Sequence, residues 1–175
     1  MLKTLNLLCM ILLALVLMPS ISNADYKLYS IDSVYNAPFP AQPTFVGEIG
    51  QGKGKHRSYQ YSDEKNIISY SATYQVNPDS FKTKDTHGII KKYLDGVIIG
   101  SGGKLLSTQN ADFNNYKSVK YISESNIDGV LSKKFGVVIF KNNRFHMWSV
   151  ADYQNNSKES AEKIFNFYYK YITIN

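Results

Sequence analysis

The sequence predicts an α+β fold in which helices cover a largely antiparallel β-sheet. Strict alternation of apolar and polar residues from Asn66 to Val76 is the strongest strand signal and indicates one buried face and one wetter face. Two later segments, Lys84–Ile99 and the C-terminal stretch, carry apolar residues at helical spacing. The resulting order of strands, helix, strands and helix is typical of an antiparallel sheet that packs against helices.

The first half of the chain contains the more irregular elements. An aromatic segment from Tyr26 to Tyr35 is predicted as the opening strand. The segment Ala37–Pro43 carries three of the five prolines, so it is predicted as a sheet edge or a connector. Two further strands are predicted before the alternating one, at Thr44–Ile49 and His56–Ser62.

The second half is predicted as a meander that ends in a helix. Strands are expected at Lys104–Asp112, Ser118–Ser125, Leu131–Lys141 and Arg144–Asp152, with Asn142-Asn143 as a two-residue hairpin turn. Asn156 and Glu159 resemble the cap of the closing helix. The buried stripe of that helix is predicted to be Ala161, Ile164, Phe165, Tyr168, Tyr169 and Ile172.

The first 24 residues are interpreted as a cleavable signal peptide. Lys3 precedes the apolar run Leu5–Met18, and small residues lead up to a cleavage site between Ala24 and Asp25. The run is shorter than the about 20 residues that cross a bilayer, which disfavours an uncleaved anchor. Cys9, the one cysteine, lies inside the run rather than after it, which disfavours lipid attachment. We therefore expect one periplasmic α+β domain, residues 25–175, with release into the medium as the alternative.

Composition adds only weak constraints on function. The full chain has a formal net charge of +6, and removal of Lys3 leaves about +5. Such a charge suits an anionic surface or an acidic protein face, and it equally suits a solubility role without a partner. No second apolar span and no nucleic-acid-binding motif follows the signal segment.

Several local features are similar to the PsbP-like superfamily, in particular its small secreted bacterial members of the DcrB type. They are the proline-rich Phe39–Pro43, the tyrosine-rich strand Ser69–Val76 that leads through Asn77-Pro78 into a helix, and the closing helix segment Ala161–Phe167. The resemblance implies an antiparallel sheet between helices. It also implies a non-enzymatic accessory or protein-binding role, and it supplies no catalytic residues. A cystatin-like or NTF2-like curved sheet is the alternative fold.

Residues with catalytic chemistry form no recognisable motif. His56, His87 and His146 lack the spacing of a zinc site, so no metal, cofactor or catalytic residue is predicted. If His56 and His146 met across the sheet, they would form a general acid–base pair for a secreted hydrolase or nuclease. That enzyme is the first alternative function.

The densest positive patch follows a glycine-rich loop and consists of Lys53, Lys55, His56 and Arg57. It is the predicted contact for an anionic or acidic partner, against the simpler interpretation of a solvated loop. The leading hypothesis is an exported, non-enzymatic accessory domain that binds another cell-envelope protein through this patch or a sheet face. The second alternative is a small-ligand or lipid carrier with an apolar pocket between the sheet and the helix Ile89–Ile98.

Overall fold

The computed structural model describes residues 26–49, 55–63, 68–76, 85–127, 129–153 and 158–175. Their strands are β1 Lys27–Ile31, β2 Tyr35–Phe39, β3 Thr44–Ile49, β4 His56–Asp63, β5 Ile68–Val76, β6 Gly103–Phe113, β7 Tyr116–Ile127, β8 Val130–Lys141, β9 Arg144–Tyr153 and β10 Thr173–Ile174. The helices are α1 Thr86–Gly100 and α2 Lys158–Tyr168, and a 3-10 turn at Tyr169–Tyr171 follows α2. The predicted order of strands, helix, strands and helix is confirmed.

These strands form two sheets. Seven of them make the main sheet in the order β3-β4-β5-β9-β8-β7-β6, and β1, β2 and β10 make a small sheet with β2 in the middle. Every strand pair is antiparallel. The predicted α+β class with a largely antiparallel, helix-covered sheet is therefore correct.

Asparagine pairs make two of the hairpin turns in the main sheet. Asn142 and Asn143 have φ of 52° and 57°, which confirms the predicted turn between β8 and β9. Asn114 and Asn115 adopt the same left-handed conformation, with φ of 47° and 67°, between β6 and β7. Asparagine tolerates this conformation because its short polar side chain can form hydrogen bonds with nearby groups of the chain. The second turn lets β6 and β7 continue beyond their predicted bounds.

The opening segment corrects the prediction of one strand from Tyr26 to Tyr35. The chain turns at Asp32 and Ser33, whose φ values are 48° and 58°, and the Val34 N–H donates to the Ile31 carbonyl at 2.9 Å. β2 therefore folds back on β1. Pro38 pairs with Leu28 of β1 at a position beyond the end of β10, so this proline lies at a local edge, as its missing N–H requires.

The small sheet and α2 cover one face of the main sheet with apolar side chains. Trp148 is 1% exposed, stacks on Phe165 of α2, and donates its indole N–H to the Pro38 carbonyl at 3.1 Å. Tyr35 of β2 is fully buried and donates its hydroxyl to the Met147 carbonyl at 3.0 Å. The predicted apolar face of β5 packs into this core. We call this face of the main sheet the filled face.

The closing helix confirms its predicted contact with the sheet and corrects its length. Ala161 and Phe165 are buried against the filled face, while α2 ends at Tyr168. Ile172 is buried as predicted, but it follows the 3-10 turn and precedes β10. The predicted Asn156 cap lies outside the described residues, and so does the Glu159 side chain.

Helix α1 packs on the opposite face of the main sheet. Asp85 caps it by accepting a hydrogen bond from the Gly88 N–H at 2.9 Å, which satisfies one of the unpaired donors at the helix start. The predicted stripe supplies the contacts, since Ile90 and Leu94 are fully buried against a cluster that includes Val119 and Val138. α1 thus places a second apolar layer over part of this face.

Candidate functional site

A groove runs between α1 and the part of the main sheet that α1 leaves open. The helix packs mainly on β6, β7 and β8, at one side of the sheet. Beside it lies an open space of about 780 Å³. Its walls come from α1 and from β3, β4, β5, β7, β8 and β9: Val46, His56, Ser58, Tyr59, Gln60, Ser71, Thr73, Gln75, Lys92, Tyr93, Gly96, Val97, Ile98, Gly100, Ser101, Tyr121, Lys134, Phe145 and Met147.

Hydroxyl and amide side chains form the floor of this groove. They are the polar half of the alternating pattern in β4 and β5, so the predicted wetter face is the groove floor. Cross-strand hydrogen bonds tie the floor together: Ser58 Oγ to Thr73 Oγ1 at 3.2 Å, Ser71 Oγ to Ser149 Oγ at 2.7 Å, and Gln60 Nε2 to Ser69 Oγ at 2.8 Å. These bonds hold the floor side chains in fixed positions.

Stacked rings close one end of the groove. Tyr93 of α1 lies parallel to Phe145 of β9, with ring centroids 4.0 Å apart. His56 of β4 also stacks with Tyr93, and their ring centroids are 5.6 Å apart. Burial lowers the pKa of His56 and raises that of Tyr93. Within the described residues the buried Tyr93 hydroxyl has no hydrogen-bond partner. This end of the groove therefore combines an aromatic surface with a hydroxyl group that can donate a hydrogen bond to a ligand.

Tyr121 lies flat on the floor because of a glycine on the neighbouring strand. Gly136 of β8 stands directly opposite Tyr121 of β7, and the Tyr121 ring occupies the space that a β-carbon at position 136 would need. An aromatic ring that covers a strand glycine in this way restores the packing that the glycine lacks. Because the Tyr121 ring lies over Gly136, it does not project into the centre of the groove.

Lys134 marks the other end of the groove. It stands on β8 between Ser123 of β7 and Ala151 of β9, both of which are buried. Burial lowers the pKa of the Lys134 ammonium. None of the carboxylates in the described part of the chain pairs with it. Lys134 is partly buried, and a partly desolvated ammonium without a counter-ion favours a bound anion.

The charges that line the groove have one sign. Lys92 on α1 and Lys134 on β8 line it together with His56, and among the described residues that line it none is Asp or Glu. The groove therefore presents a positive, partly apolar concavity to solvent.

The predicted basic patch is divided by the strand on which it lies. Lys53 falls outside the described residues. The Lys55 Nζ is 2.6 Å from Glu48 Oε1, and the Arg57 Nε is 3.2 Å from Asp32 Oδ2. His56 lines the groove, whereas its neighbour Arg57 lies on the other face of β4 because side chains alternate along a strand. The structure thus pairs Lys55 and Arg57 with carboxylates and places His56 and Arg57 on opposite faces of β4.

The acid–base pair considered for a nuclease is not formed. His56 pairs in register with Gln75, whereas His146 pairs with Tyr74, the next residue of β5, so the two imidazoles lie on opposite faces of the main sheet. His146 is 2% exposed and packs edge-on against Tyr35, and burial lowers its pKa to about 4. Successive side chains of a strand point to opposite faces of its sheet. Because the β5 partners of His56 and His146 are consecutive residues, the two histidines lie on opposite faces.

The described residues contain neither a metal-binding cluster nor a membrane-spanning helix. No three histidine, cysteine, aspartate or glutamate side chains in them lie together in a way that would hold a metal ion. Neither helix of the described part is long and apolar enough to cross a membrane.

Comparison with solved structures shows a PsbP-like fold. The solution structure of the cyanobacterial PsbP protein (CyanoP) from Synechocystis sp. PCC 6803 aligns with a TM-score of 0.60 at 11% sequence identity, over 89% of this chain and 96% of that one. A protein of unknown function from Pseudomonas aeruginosa aligns with a TM-score of 0.49 at 9% identity, over 81% and 92% of the two chains. No protein-family model and no curated protein sequence matches. The predicted resemblance in fold is confirmed.

Proposed function

We propose that this chain is an exported, non-enzymatic accessory domain and that it acts by binding a ligand in the groove beneath α1. In this proposal residues 1–24 direct export and are removed after Ala24. The mature domain works in the periplasm, or outside the cell if it is released. The PsbP-like fold supports an accessory role for the domain.

The single observation that carries the proposal is the groove itself. Its volume of about 780 Å³ falls in the range of about 300–1,000 Å³ that small-molecule sites occupy. Its lining mixes aromatic and aliphatic surface with hydroxyl and amide groups in fixed positions, which is the usual composition of such sites. Of the two binding roles that the sequence leaves open, this concavity favours the small-ligand carrier over the adaptor for an envelope protein.

The chemistry around the groove supports binding rather than catalysis. Catalysis by a general acid and base needs two titratable groups within reach of one substrate. His56 is the histidine that lines the groove, and the residue that was considered as its partner, His146, belongs to the opposite face. Tyr93 and Tyr121 have raised pKa values because of burial, so they act as neutral hydrogen-bond donors at ordinary pH.

The basic segment keeps a minor place in the proposal. Lys53, Lys55 and Arg57 remain a proposed contact for an acidic or anionic partner. The ion pairs that Lys55 and Arg57 make with Glu48 and Asp32 reduce the free charge available there. Substitution of all three cations with Glu would weaken the capture of an envelope partner if this contact exists.

Native mass spectrometry of the purified protein tests the groove as a binding site. We expect an adduct of small-molecule mass that survives gentle transfer and disappears after organic extraction. Gly96 lines the groove, and a β-carbon at this position would meet no atom within 4 Å, so it offers two matched variants. Gly96→Trp should abolish the adduct, whereas Gly96→Ala should retain it. An adduct that persists in Gly96→Trp would contradict the proposal.

A second measurement tests the cellular part of the proposal. The intact mass of the protein from the periplasmic fraction should correspond to a chain that begins at Asp25. In-cell crosslinking from a photoreactive residue at position 60, on the groove, then distinguishes a carrier from an adaptor. One reproducible envelope protein at this position, without a small-molecule adduct, would replace the carrier role with the adaptor role.

A further inference from the structure

We infer that the groove binds a single-chain anionic amphiphile, with its acidic head group at Lys134 and its acyl chain along the floor toward Phe145. This inference rests on the proposed function and names the ligand class for the same site. Three independent features of the groove carry it: its charge, the separation of Lys134 from Phe145 along the sheet, and its apolar lining on α1 and β9.

The charge of the groove specifies an anion. Lys134 and Lys92 line it, and the described part of the chain contributes no carboxylate to its lining. Lys134 lacks an ion-pair partner within the described residues, although burial removes much of the water that would otherwise solvate its ammonium. A ligand carboxylate or phosphate at this point supplies the missing counter-ion through a charge-assisted hydrogen bond. A cationic or neutral head group would leave the lysine unpaired.

The separation of Lys134 and Phe145 along the sheet favours a chain over a free ion. Phe145 and Ala151, the β9 neighbour of Lys134, are separated by six residues, which corresponds to roughly 20 Å along an extended strand. An acyl chain in one bilayer leaflet spans about half of the roughly 30 Å hydrocarbon core, or about 15 Å. The distance from the lysine to the aromatic end therefore matches a long acyl chain, and a small inorganic anion would occupy only one end.

Apolar side chains on α1 and on the β9 part of the floor give the chain its apolar contact. Val97 and Ile98 of α1 line the groove on the helix side, and Met147 and Phe145 line it on β9. Gly96 has no side chain, so it leaves the space between these residues open. The ligand chain gains its binding energy from these apolar side chains, and the hydroxyl groups beside it already bond to one another.

Calorimetric titration of the purified protein with tetradecanoate and with tetradecanol tests this assignment. The two probes share one chain and differ in the head group. We expect tetradecanoate to bind at least about tenfold more tightly, since a hydrogen bond to a charged group contributes that much or more. Lys134→Met should reduce tetradecanoate affinity to the level of tetradecanol and leave tetradecanol unchanged, and Lys134→Arg should restore much of the difference.

The matched control lies next to Lys134 on the same strand. Lys133 lies on the opposite face, with its ammonium 5.9 Å from the Phe135 ring, so Lys133→Met should change neither affinity. Circular dichroism of each variant checks that it remains folded.

The outcomes separate failure of this inference from failure of the proposed function. If both probes bind equally and Lys134→Met alters neither, the groove is a binding site but Lys134 is not its anion contact. If inorganic phosphate alone binds as tightly as tetradecanoate and depends equally on Lys134, the site recognises a free anion and the acyl chain is wrong. If neither probe binds, or if both still bind to Gly96→Trp, the amphiphile assignment is overturned, and persistence in Gly96→Trp also contradicts the proposed function.

Discussion

The two faces of the main sheet are built from the same seven strands but are covered to different extents. The small sheet and α2 cover the filled face, where Tyr35, Trp148 and Phe165 belong to one hydrophobic cluster. A smaller space of about 280 Å³ remains there between α2, β6 and β7. On the other face α1 covers mainly β6, β7 and β8, and the rest of that face is the groove floor. In the proposed function, the filled face carries stability and the groove face carries binding, so substitutions on each face should have different effects.

The largest expected effect is on the filled face. Trp148→Ala removes a buried indole and its hydrogen bond to the Pro38 carbonyl, so we expect a loss of about 3–5 kcal/mol in the free energy of unfolding. Urea denaturation measures this loss. The groove-floor variant Ser71→Ala removes one hydroxyl of a partly exposed hydrogen bond and should cost about 1 kcal/mol or less. Equal losses in the two variants would contradict the assignment of stability to the filled face.

The second prediction concerns the glycine under Tyr121. Gly136→Ala places a β-carbon where the Tyr121 ring lies, so the ring must move up into the groove. We expect a loss of about 1–3 kcal/mol, typical of overpacked sites, and also a weaker affinity for any groove ligand. Thermal unfolding and a binding titration together measure both effects. A variant that loses stability but keeps full affinity would show that Tyr121 does not shape the groove.

The third prediction uses the buried histidine of the filled face. Burial, with smaller contributions from Arg144 and Lys141, lowers the pKa of His146 from 6.5 to about 4 in the folded protein. The unfolded chain therefore takes up this proton at higher pH, and stability is lost as the pH falls from about 6.5 toward 4. Between pH 7 and pH 5 we expect a loss of about 2 kcal/mol from this group.

His146→Phe removes this titration while keeping an aromatic ring in the core. Urea unfolding of the variant at the two pH values should show a smaller loss than the wild type. Some pH dependence should remain, since the pKa of His56 is also lowered. If the variant shows the full wild-type loss, His146 is not the group responsible.

The smallest expected effect is a gain. Gly96 lies within α1 and a β-carbon there meets no neighbour, so Gly96→Ala should stabilise the helix by up to about 1 kcal/mol. A rise in the thermal midpoint with unchanged ligand affinity would confirm that this side of α1 is open. A loss of stability would show that another part of the chain packs against position 96.

The fold was predictable because its signals are local. The alternation in β5, the α1 stripe from Ile89 to Ile98 and the Asn142-Asn143 turn each specify structure over short distances. The turn at Asp32-Ser33 was missed because the aromatic residues on both sides of it continue the strand pattern. The Asn114-Asn115 turn carries the same signal as Asn142-Asn143 and was available from the sequence.

The groove was predictable only in part. The alternation identified Ser71 and Thr73 as a wetter face, and the pocket between the sheet and α1 was one of the alternatives considered. Lys134 gave no signal, because it stands next to Lys133 in a strand and two neighbouring lysines suggest a solvated edge. Its position becomes informative only when the strand order places β8 between β7 and β9 and the period of two turns Lys134 toward α1. Such information depends on contacts between distant segments of the chain.

The most direct test of the central claim is a two-dimensional amide NMR titration of the purified protein with tetradecanoate. If the groove face binds and the filled face stabilises, the largest shift changes should fall on Ser71, Thr73, Tyr121 and Lys134. The indole N–H of Trp148, the one tryptophan in the chain, should remain bonded to Pro38 and shift little. Large changes at the Trp148 indole and at β1 or β2, with none along the groove, would contradict the account.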